Sequence, residues 1–218
     1  MKLVYTFLFL FVTTISSQVN AQASNDPDAK KILDGVSAKF KTYKTVKATF
    51  TYIVENASGK VLSTKSGAVS MKSTKYKISI VGQEIFCDGT TLWTYDKSAN
   101  EVTITKVDNS SNSLTPQKLF TNFYDNDFLY KLNGEKKQGT KTLQEIEMTP
   151  TDKSKQFSKV YVYVDKAAKT LYSTKVLEPT GNRYSYTVTA LTPNAALADS
   201  LFVFDAKKYP GVEIVDLR

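Results

Sequence analysis

Paired carboxylates are the side chains of this sequence best suited to chemistry. Glu145 and Glu147 stand two residues apart in an alternating segment, and Asp125 and Asp127 flank an asparagine. Two carboxyl groups on either side of a glycosidic bond can act as acid and as base or nucleophile, so either pair could serve a hydrolase. However, residues two apart share the polar face of a strand, and an Asp-Asn-Asp run is ordinary at a turn. We therefore interpret both pairs as surface groups and keep hydrolysis as a remote alternative.

The other common catalytic groups are missing from the sequence. It contains no histidine, which removes the Ser-His and Cys-His nucleophiles and the usual zinc and copper ligand sets. Neither a Ser-x-x-Lys spacing nor a phosphate-binding glycine loop occurs. The single cysteine, Cys87, is expected to be a small buried apolar side chain. We predict no enzyme activity, no cofactor and no metal site.

The positive charge comes almost entirely from lysine. The formal net charge is +8, yet arginine occurs only at Arg183 and Arg218. Proteins that read nucleic acids favour the bidentate guanidinium group, and here the lysines are scattered singly between apolar residues. We predict no nucleic-acid partner. A mild attraction to acidic surfaces remains open.

The first 21 residues have the pattern of a cleavable signal peptide. Lys2 precedes an apolar run from Leu3 to Val12, and small and polar residues follow up to Ala21. The apolar run is shorter than the ~20 residues that a spanning helix needs. We expect cleavage after Ala21, export to the periplasm, and a single soluble domain from residue 22 to residue 218.

Helical spacing at the start of that domain gives way to the spacing of strands. Asp26 and Pro27 have the residue types of a helix cap and first position, and an apolar stripe follows with Gly35 inside it. From Val46 to Val54 apolar residues alternate with polar ones, and similar segments recur between turn sequences. We count about eleven strands without repeated helical crossovers, which predicts one large antiparallel sheet that is strongly curved or nearly closed. Short helices are expected near residues 115–123 and 195–199, the latter before a closing strand in "LFVFD".

Aromatic residues are abundant and lie on both faces of some predicted strands. The chain has 13 Tyr, 12 Phe and one Trp, and in one strand Tyr161 and Tyr163 alternate with three valines. Either helices cover one side of the sheet, or the sheet encloses an apolar ligand cavity. Composition alone leaves both possibilities open.

The segment "QEIFCDGTTLWTYDKSANEVTI", residues 83–104, resembles the outer-membrane lipoprotein carrier family, LolA. The resemblance extends over the first helix, the "VKATFTY" strand, Gly67, the "LTPQKLF" helix and the closing "FVFDAKKYPGVEIVD". It implies a mainly β fold with an α lid, in which an incomplete, half-open antiparallel β-barrel is covered by short helices.

The resemblance also implies a function and a site. Such proteins carry acylated lipoproteins through the periplasm from an inner-membrane lipoprotein-releasing transporter to an outer-membrane acceptor. We expect a monomer that does the same. By resemblance, the acyl chains lie against side chains of the barrel and of its covering helices: Ile32, Val36, Phe40, Phe50, Tyr52, Trp93, Tyr95, Leu119, Phe120 and Phe123.

One departure from the family concerns the contact that holds the lid. Members often have an Arg-Pro pair before the third strand, whereas this chain has Lys72, Ser73 and Thr74. Lys72 and Ser73 are the candidate latch, and Lys75 is a further donor. Other functions stay open as well: a sensor or carrier of another lipid on the same fold, or a structural adhesion domain.

Overall fold

Twelve strands and one long helix form the part of the chain that the computed structural model describes, residues 25–108 and 124–218. The predicted signal peptide and three expected ligand-binding residues, Leu119, Phe120 and Phe123, lie outside these ranges. The elements are α1 (Pro27–Lys41), β1 (Thr45–Glu55), β2 (Val61–Lys72), β3 (Lys75–Ile80), β4 (Gln83–Cys87), β5 (Thr91–Asp96), β6 (Glu101–Lys106), α2 (Tyr124–Asp127), β7 (Phe128–Gln138), β8 (Lys141–Pro150), β9 (Lys159–Asp165), β10 (Thr170–Leu177), β11 (Arg183–Pro193) and β12 (Glu213–Asp216).

All twelve strands belong to one sheet, in the order β12-β6-β5-β4-β3-β2-β1-β11-β10-β9-β8-β7. Neighbours are antiparallel apart from β12 and β6, which are parallel. The edge strands β12 and β7 are not paired with each other, so the sheet does not close. The predicted fold class, mainly β with an incomplete antiparallel barrel, is confirmed. The strand number is twelve instead of about eleven.

Helix α1 forms where its capping residues predict it. The Asp26 side chain accepts hydrogen bonds from the backbone N–H groups of Asp28 and Ala29, and Pro27 stands at the first helical position. Leu33 lies one helical turn beyond Ala29, and both are buried against the sheet. The helix ends at Lys41 instead of about Tyr43.

The helix covers two apolar clusters on one face of the sheet, which we call the inner face. The first cluster joins Leu33 to strands β7 to β10 around Ile146 and Val162. The second lies on β1 to β4 around Val46 and Met71, and Phe40 of α1 packs against it. One element therefore spans both halves of the sheet.

A third cluster lies on the opposite, outer face and contains the carboxyl-terminal segment. Phe204 packs there against Phe86, Tyr95 and Val102. The predicted "LFVFD" strand is wrong, because residues Asp199–Phe202 form a 3₁₀ turn and the closing strand is β12. The expected helical turn near residues 195–199 is accordingly displaced towards this 3₁₀ turn.

Candidate functional site: an aromatic patch on the inner face

Four aromatic side chains lie together on the inner face where β1 and β11 pair. Phe50 packs at the margin of the second inner cluster, and Tyr52 is two residues further along β1. Tyr186 is the register partner of Tyr52 on β11. Tyr184, two residues earlier in β11, lies on the same face. We call these four residues the aromatic patch.

The rings of the aromatic patch contact one another. Tyr52 and Tyr186 are stacked with ring centroids 4.8 Å apart, and Tyr52 and Tyr184 are nearly parallel at 6.2 Å. Phe50 lies 6.3 Å from Tyr186. Tyr186 keeps 41% of its surface exposed, whereas the other three residues are partly buried. The patch is therefore an apolar surface that solvent still reaches.

Gly67 makes room for the Phe50 ring. The two residues are directly opposite in the β1–β2 ladder, and a Cβ atom at Gly67 would lie 2.4 Å from the Phe50 ring. It would also lie 2.9 Å from the carbonyl oxygen of Ser79 on β3. Because position 67 has no side chain, the Phe50 ring closely approaches the backbone of β2.

The three tyrosines of the patch all have raised pKa values. Burial and the neighbouring Tyr52 raise the pKa of Tyr186 to about 12, and burial also raises the pKa of Tyr52. A hydrogen bond to Glu178 raises the pKa of Tyr184. All three hydroxyls therefore stay protonated and neutral at neutral pH, so the rings themselves bring no charge to the patch.

The three predicted helix residues lie beside the buried row of α1. Ile32 and Val36 pack against the first inner cluster, and Phe40 packs against the second. Between α1 and the sheet a cavity of about 10 Å³ remains, lined by Val36, Phe40, Leu171 and Leu191 among others. That volume suits one water at most, so a ligand must displace side chains to enter here.

Two predicted site residues, Trp93 and Tyr95, face the other way. Leu92 of β5 and its register partner Cys87 of β4 face the second inner cluster, whereas Trp93 and Tyr95 pack with Phe204 on the outer face. Side chains alternate between the faces of a strand, so the two aromatics cannot line the inner surface together with the aromatic patch. That Trp93 and Tyr95 bind the ligand stays a prediction, and the structure places both residues in the outer cluster.

The candidate latch lysine makes a contact with the carboxyl-terminal segment. Lys72 Nζ lies 2.7 Å from Asp199 Oδ1, and Lys75 Nζ lies 2.9 Å from Asp199 Oδ2. These ion pairs lower the pKa of Asp199 to about 2. Ser73 occupies the β2–β3 turn with a positive φ of 53°. The ion pair of Lys72 thus holds residues 199–202 against β3. Within the described residues, Lys72 makes no contact with a lid helix.

The paired carboxylates of β8 are held as ions. Glu147 lies 2.7 Å from Lys159 Nζ, and Glu145 is paired with Lys136 and accepts a hydrogen bond from Asn133 at 3.0 Å. Burial opposes ionisation at both sites, but these hydrogen bonds outweigh it, and the pKa of each glutamate is lowered. A general acid of a glycosidase needs a raised pKa, so this geometry does not supply one. Asp127 is exposed at the end of α2.

Tyr184 and Tyr186 are the two residues of the aromatic patch that are absent from the site predicted by sequence. The alternation of tyrosine with Ser185 and Thr187 does indicate one aromatic face. Whether that face becomes the inner or the outer face depends on the pairing of β11 with β1. Pairing between strands about 130 residues apart cannot be read from the sequence of either strand alone.

Fold and site together define a class: an open antiparallel sheet whose inner face carries one long helix and a half-exposed aromatic surface. Within residues 25–108 and 124–218, no helix is both long enough and apolar enough to cross a bilayer.

Comparison with known proteins narrows the class to one family. Residues 41–205 match the family described as Outer membrane lipoprotein carrier protein LolA. A protein of Cupriavidus necator named Outer-membrane lipoprotein carrier protein is 31% identical over 159 residues, which cover 71% of this chain and 72% of that protein. A protein of the same name from Cupriavidus taiwanensis is 30% identical over 158 residues, which cover 72% of this chain and 70% of that protein. The chain belongs to the LolA family.

A solved structure shares the fold at low sequence identity. An uncharacterized conserved protein from Thermus thermophilus superposes with a TM-score of 0.59, at 13% identity, over 87% of this chain and 99% of that chain. At this identity the likeness concerns the fold alone.

Proposed function

We propose that this protein is a periplasmic carrier that binds the acyl chains of lipoproteins on its inner face and ferries them from the inner to the outer membrane. The observation that carries the proposal is the aromatic patch, an apolar surface of four rings beside α1 that stays partly open to solvent. Family membership supports the same function, since the two Cupriavidus relatives are named as lipoprotein carriers.

Contacts that the protein makes within its own site before cargo enters reduce the net free energy of cargo binding. Burial of one methylene is worth about 0.8 kcal/mol, so several acyl chains of ~15 carbons would total tens of kcal/mol before any cost is subtracted. Affinity of that size would prevent release. In the empty protein Phe40 already packs on the second inner cluster and Tyr52 stacks on Tyr186. An entering acyl chain replaces these contacts, which lowers the net affinity and permits transfer.

The proposed partners follow from this transport route. Cargo arrives from an inner-membrane lipoprotein-releasing transporter and leaves to an outer-membrane acceptor, and the protein acts as a monomer between them. The apolar run of residues 3–12 supports export to the periplasm. No reaction is catalysed, and the lysine-paired Glu145 and Glu147 support this, because neither is available as a proton donor.

Extraction of lipoproteins from membranes tests the proposal. The protein without residues 1–21 is incubated with spheroplasts, and the soluble fraction is assayed for acylated lipoproteins by native mass spectrometry. We expect a complex of one protein chain with one acylated lipoprotein. A complex with a free lipid instead would assign the inner face to another apolar ligand, and extraction of neither would overturn the carrier function.

A matched pair of tyrosine variants shows which face binds. Tyr186→Ser removes a ring from the aromatic patch, whereas Tyr161→Ser removes one from the outer face, where Lys159 Nζ lies 5.9 Å from the ring centroid. We expect Tyr186→Ser to reduce extraction several-fold and Tyr161→Ser to leave it unchanged. Equal extraction by both variants would contradict binding at the patch.

A further inference from the structure

Strand β2 extends beyond its neighbour β3. The β1–β2 ladder runs to Val61, but the last pair of the β2–β3 ladder joins Gly67 to Ile80. On the side away from β1, residues 61–66 therefore have no neighbouring strand among the residues that the structure describes. We call this stretch the free edge of β2.

The backbone groups at the free edge point outward at alternate residues. Lys72 and Lys75 are paired across a two-residue turn, which makes them the hydrogen-bonded pair next to that turn. Counting back by twos along β2, Ser66 and Thr64 direct their N–H and C=O groups to the same side as Lys72. These groups find no acceptor or donor within the described chain, so they can receive an added strand.

Exposed apolar side chains surround the free edge. Val61 and Leu62 are 53% and 58% exposed, and Val81 in the β3–β4 turn is 70% exposed. Because β3 ends beside Gly67, the β3–β4 turn lies at the end of the free edge. Three of the exposed large apolar residues therefore lie along or beside the free edge, and we call the step in the sheet where β3 ends and β2 continues the notch.

The charge at this notch is positive. Lys60, Lys65 and Lys97 are exposed, and no ion pair of theirs is found among the described residues. Lys97 belongs to the notch because its N–H donates to the carbonyl oxygen of Gly82. The nearby carboxylates of Glu55 and Glu84 are already paired with lysines. A segment that carries carboxylates complements this surface.

We propose that the free edge of β2, residues 61–66, docks one extended segment of a partner protein with alternating apolar and acidic residues as an added β-strand. Its backbone pairs with Thr64 and Ser66, its apolar side chains cover Leu62 and Val81, and its carboxylates meet Lys60 and Lys65. A single lysine on a strand edge discourages pairing with another basic chain but favours an acidic one.

The docked strand lies next to the aromatic patch. Ser63 and Lys65 of β2 are the register partners of Val54 and Tyr52, so they share the inner face with the patch. The inward side chains of an added strand extend this face. The idea that such a partner receives cargo rests on the proposed carrier function, whereas the docking itself does not.

The other sheet edges are less suited to docking. On β7, Asn25 and Asp26 already occupy backbone groups of residues 128–132. On β12 the strand is only four residues long and carries two acidic side chains, Glu213 and Asp216. An acidic segment is repelled there.

Model peptides test the docking. The acidic peptide Val-Glu-Val-Glu-Val-Glu-Val, its lysine counterpart, and an acidic version with a central proline are titrated against the protein, and amide hydrogen exchange is followed by NMR. We expect the acidic peptide to slow exchange at Thr64 and Ser66 at least about tenfold, and the other two to leave it unchanged. Protection by the lysine counterpart, or protection only elsewhere in the chain, would overturn the proposal.

Substitutions at one position separate docking from folding. Thr64→Pro removes an outward N–H and places a ring where the added strand would lie, while Thr64→Val keeps the N–H. We expect Thr64→Pro to weaken peptide binding at least about tenfold with an unchanged melting temperature, and Thr64→Val to bind as the parent protein does. Equal binding by the two variants would refute the free edge as the docking site.

Charge reversal and cargo extraction complete the test. The Lys60→Glu/Lys65→Glu variant is expected to bind the lysine peptide in preference to the acidic one, and an unchanged preference would count against charge recognition. Thr64→Pro is expected to extract lipoproteins normally. If the parent protein binds the peptide but extracts no lipoprotein, the carrier function fails while docking stands.

Discussion

The carboxylate of Asp26 joins the start of helix α1 to the edge strand β7 through Leu132. Its Oδ1 accepts the backbone N–H of Asp28 at 2.8 Å, and its Oδ2 accepts the backbone N–H of Leu132 at 2.9 Å. The Asp26 N–H in turn donates to the carbonyl oxygen of Tyr130 at 3.1 Å. One residue therefore caps a helix and satisfies an otherwise open strand edge.

Replacement of Asp26 by alanine is expected to lower the midpoint of thermal unfolding. The variant loses the helix cap and leaves the Leu132 N–H without its acceptor. Asp28→Ala is the matched control, because Asp28 stands in the same first turn but accepts neither bond. Equal midpoints for Asp26→Ala and Asp28→Ala would show that the bridge to Leu132 contributes nothing.

Low pH is expected to remove the contribution of Asp199 to the stability of the folded protein. The ion pairs with Lys72 and Lys75 lower the pKa of Asp199 to about 2 in the folded protein. A lowered folded-state pKa stabilises the fold above the unfolded value of about 3.9, and this stabilisation disappears as the pH falls towards 2. Asp199→Asn should therefore melt below the parent protein at pH 6 and together with it near pH 2. A constant difference over this range would contradict the pairing.

Gly67→Ala is expected to destabilise the protein by about 1–3 kcal/mol, the usual cost of overpacking. The new methyl group meets the Phe50 ring at 2.4 Å and the carbonyl oxygen of Ser79 at 2.9 Å. Urea unfolding measures the loss. Adding Phe50→Leu should restore only part of it, because the contact with the backbone of β3 remains. Full recovery in the double variant would show that the ring alone requires glycine.

Gly35→Ala is expected to stabilise the protein by up to about 1 kcal/mol. Gly35 lies inside α1, where alanine loses less conformational entropy on folding than glycine. An added Cβ atom meets nothing within 4 Å, so no contact opposes the gain. The same urea titration gives the sign, and a destabilised Gly35→Ala protein would mean that α1 packs more closely at this turn.

Local patterns predicted the long paired strands well. The alternation from Val46 to Val54 predicted β1, which spans Thr45–Glu55, and the alternation of Val160, Val162 and Val164 predicted β9. Each alternation reflects the burial of one face of a strand, so the pattern alone indicates that the segment is a strand. Cys87 is 1% exposed, as expected of a small apolar side chain.

Prediction from the sequence was limited where the alternation of apolar residues does not show which strand or face a segment packs against. In "LFVFD", Phe202 and Phe204 are buried and Val203 is exposed, so the period of two is real. The segment nevertheless packs on the outer face without joining a ladder. Alternation also does not show which face of the sheet Trp93 and Tyr95 occupy, because both faces of β5 are covered and the sequence of one strand does not identify the face that α1 covers.

The two unjoined edges of the sheet have a mechanical consequence. In a closed barrel, strand number and stagger fix the diameter, so widening requires hydrogen bonds to break. Here β12 and β7 share no ladder, so a change of twist alone alters the separation between the two ends without breaking a bond between strands. The separation between β12 and β7 is therefore not fixed by strand pairing, which suits the proposed binding of acyl chains that differ in number and length.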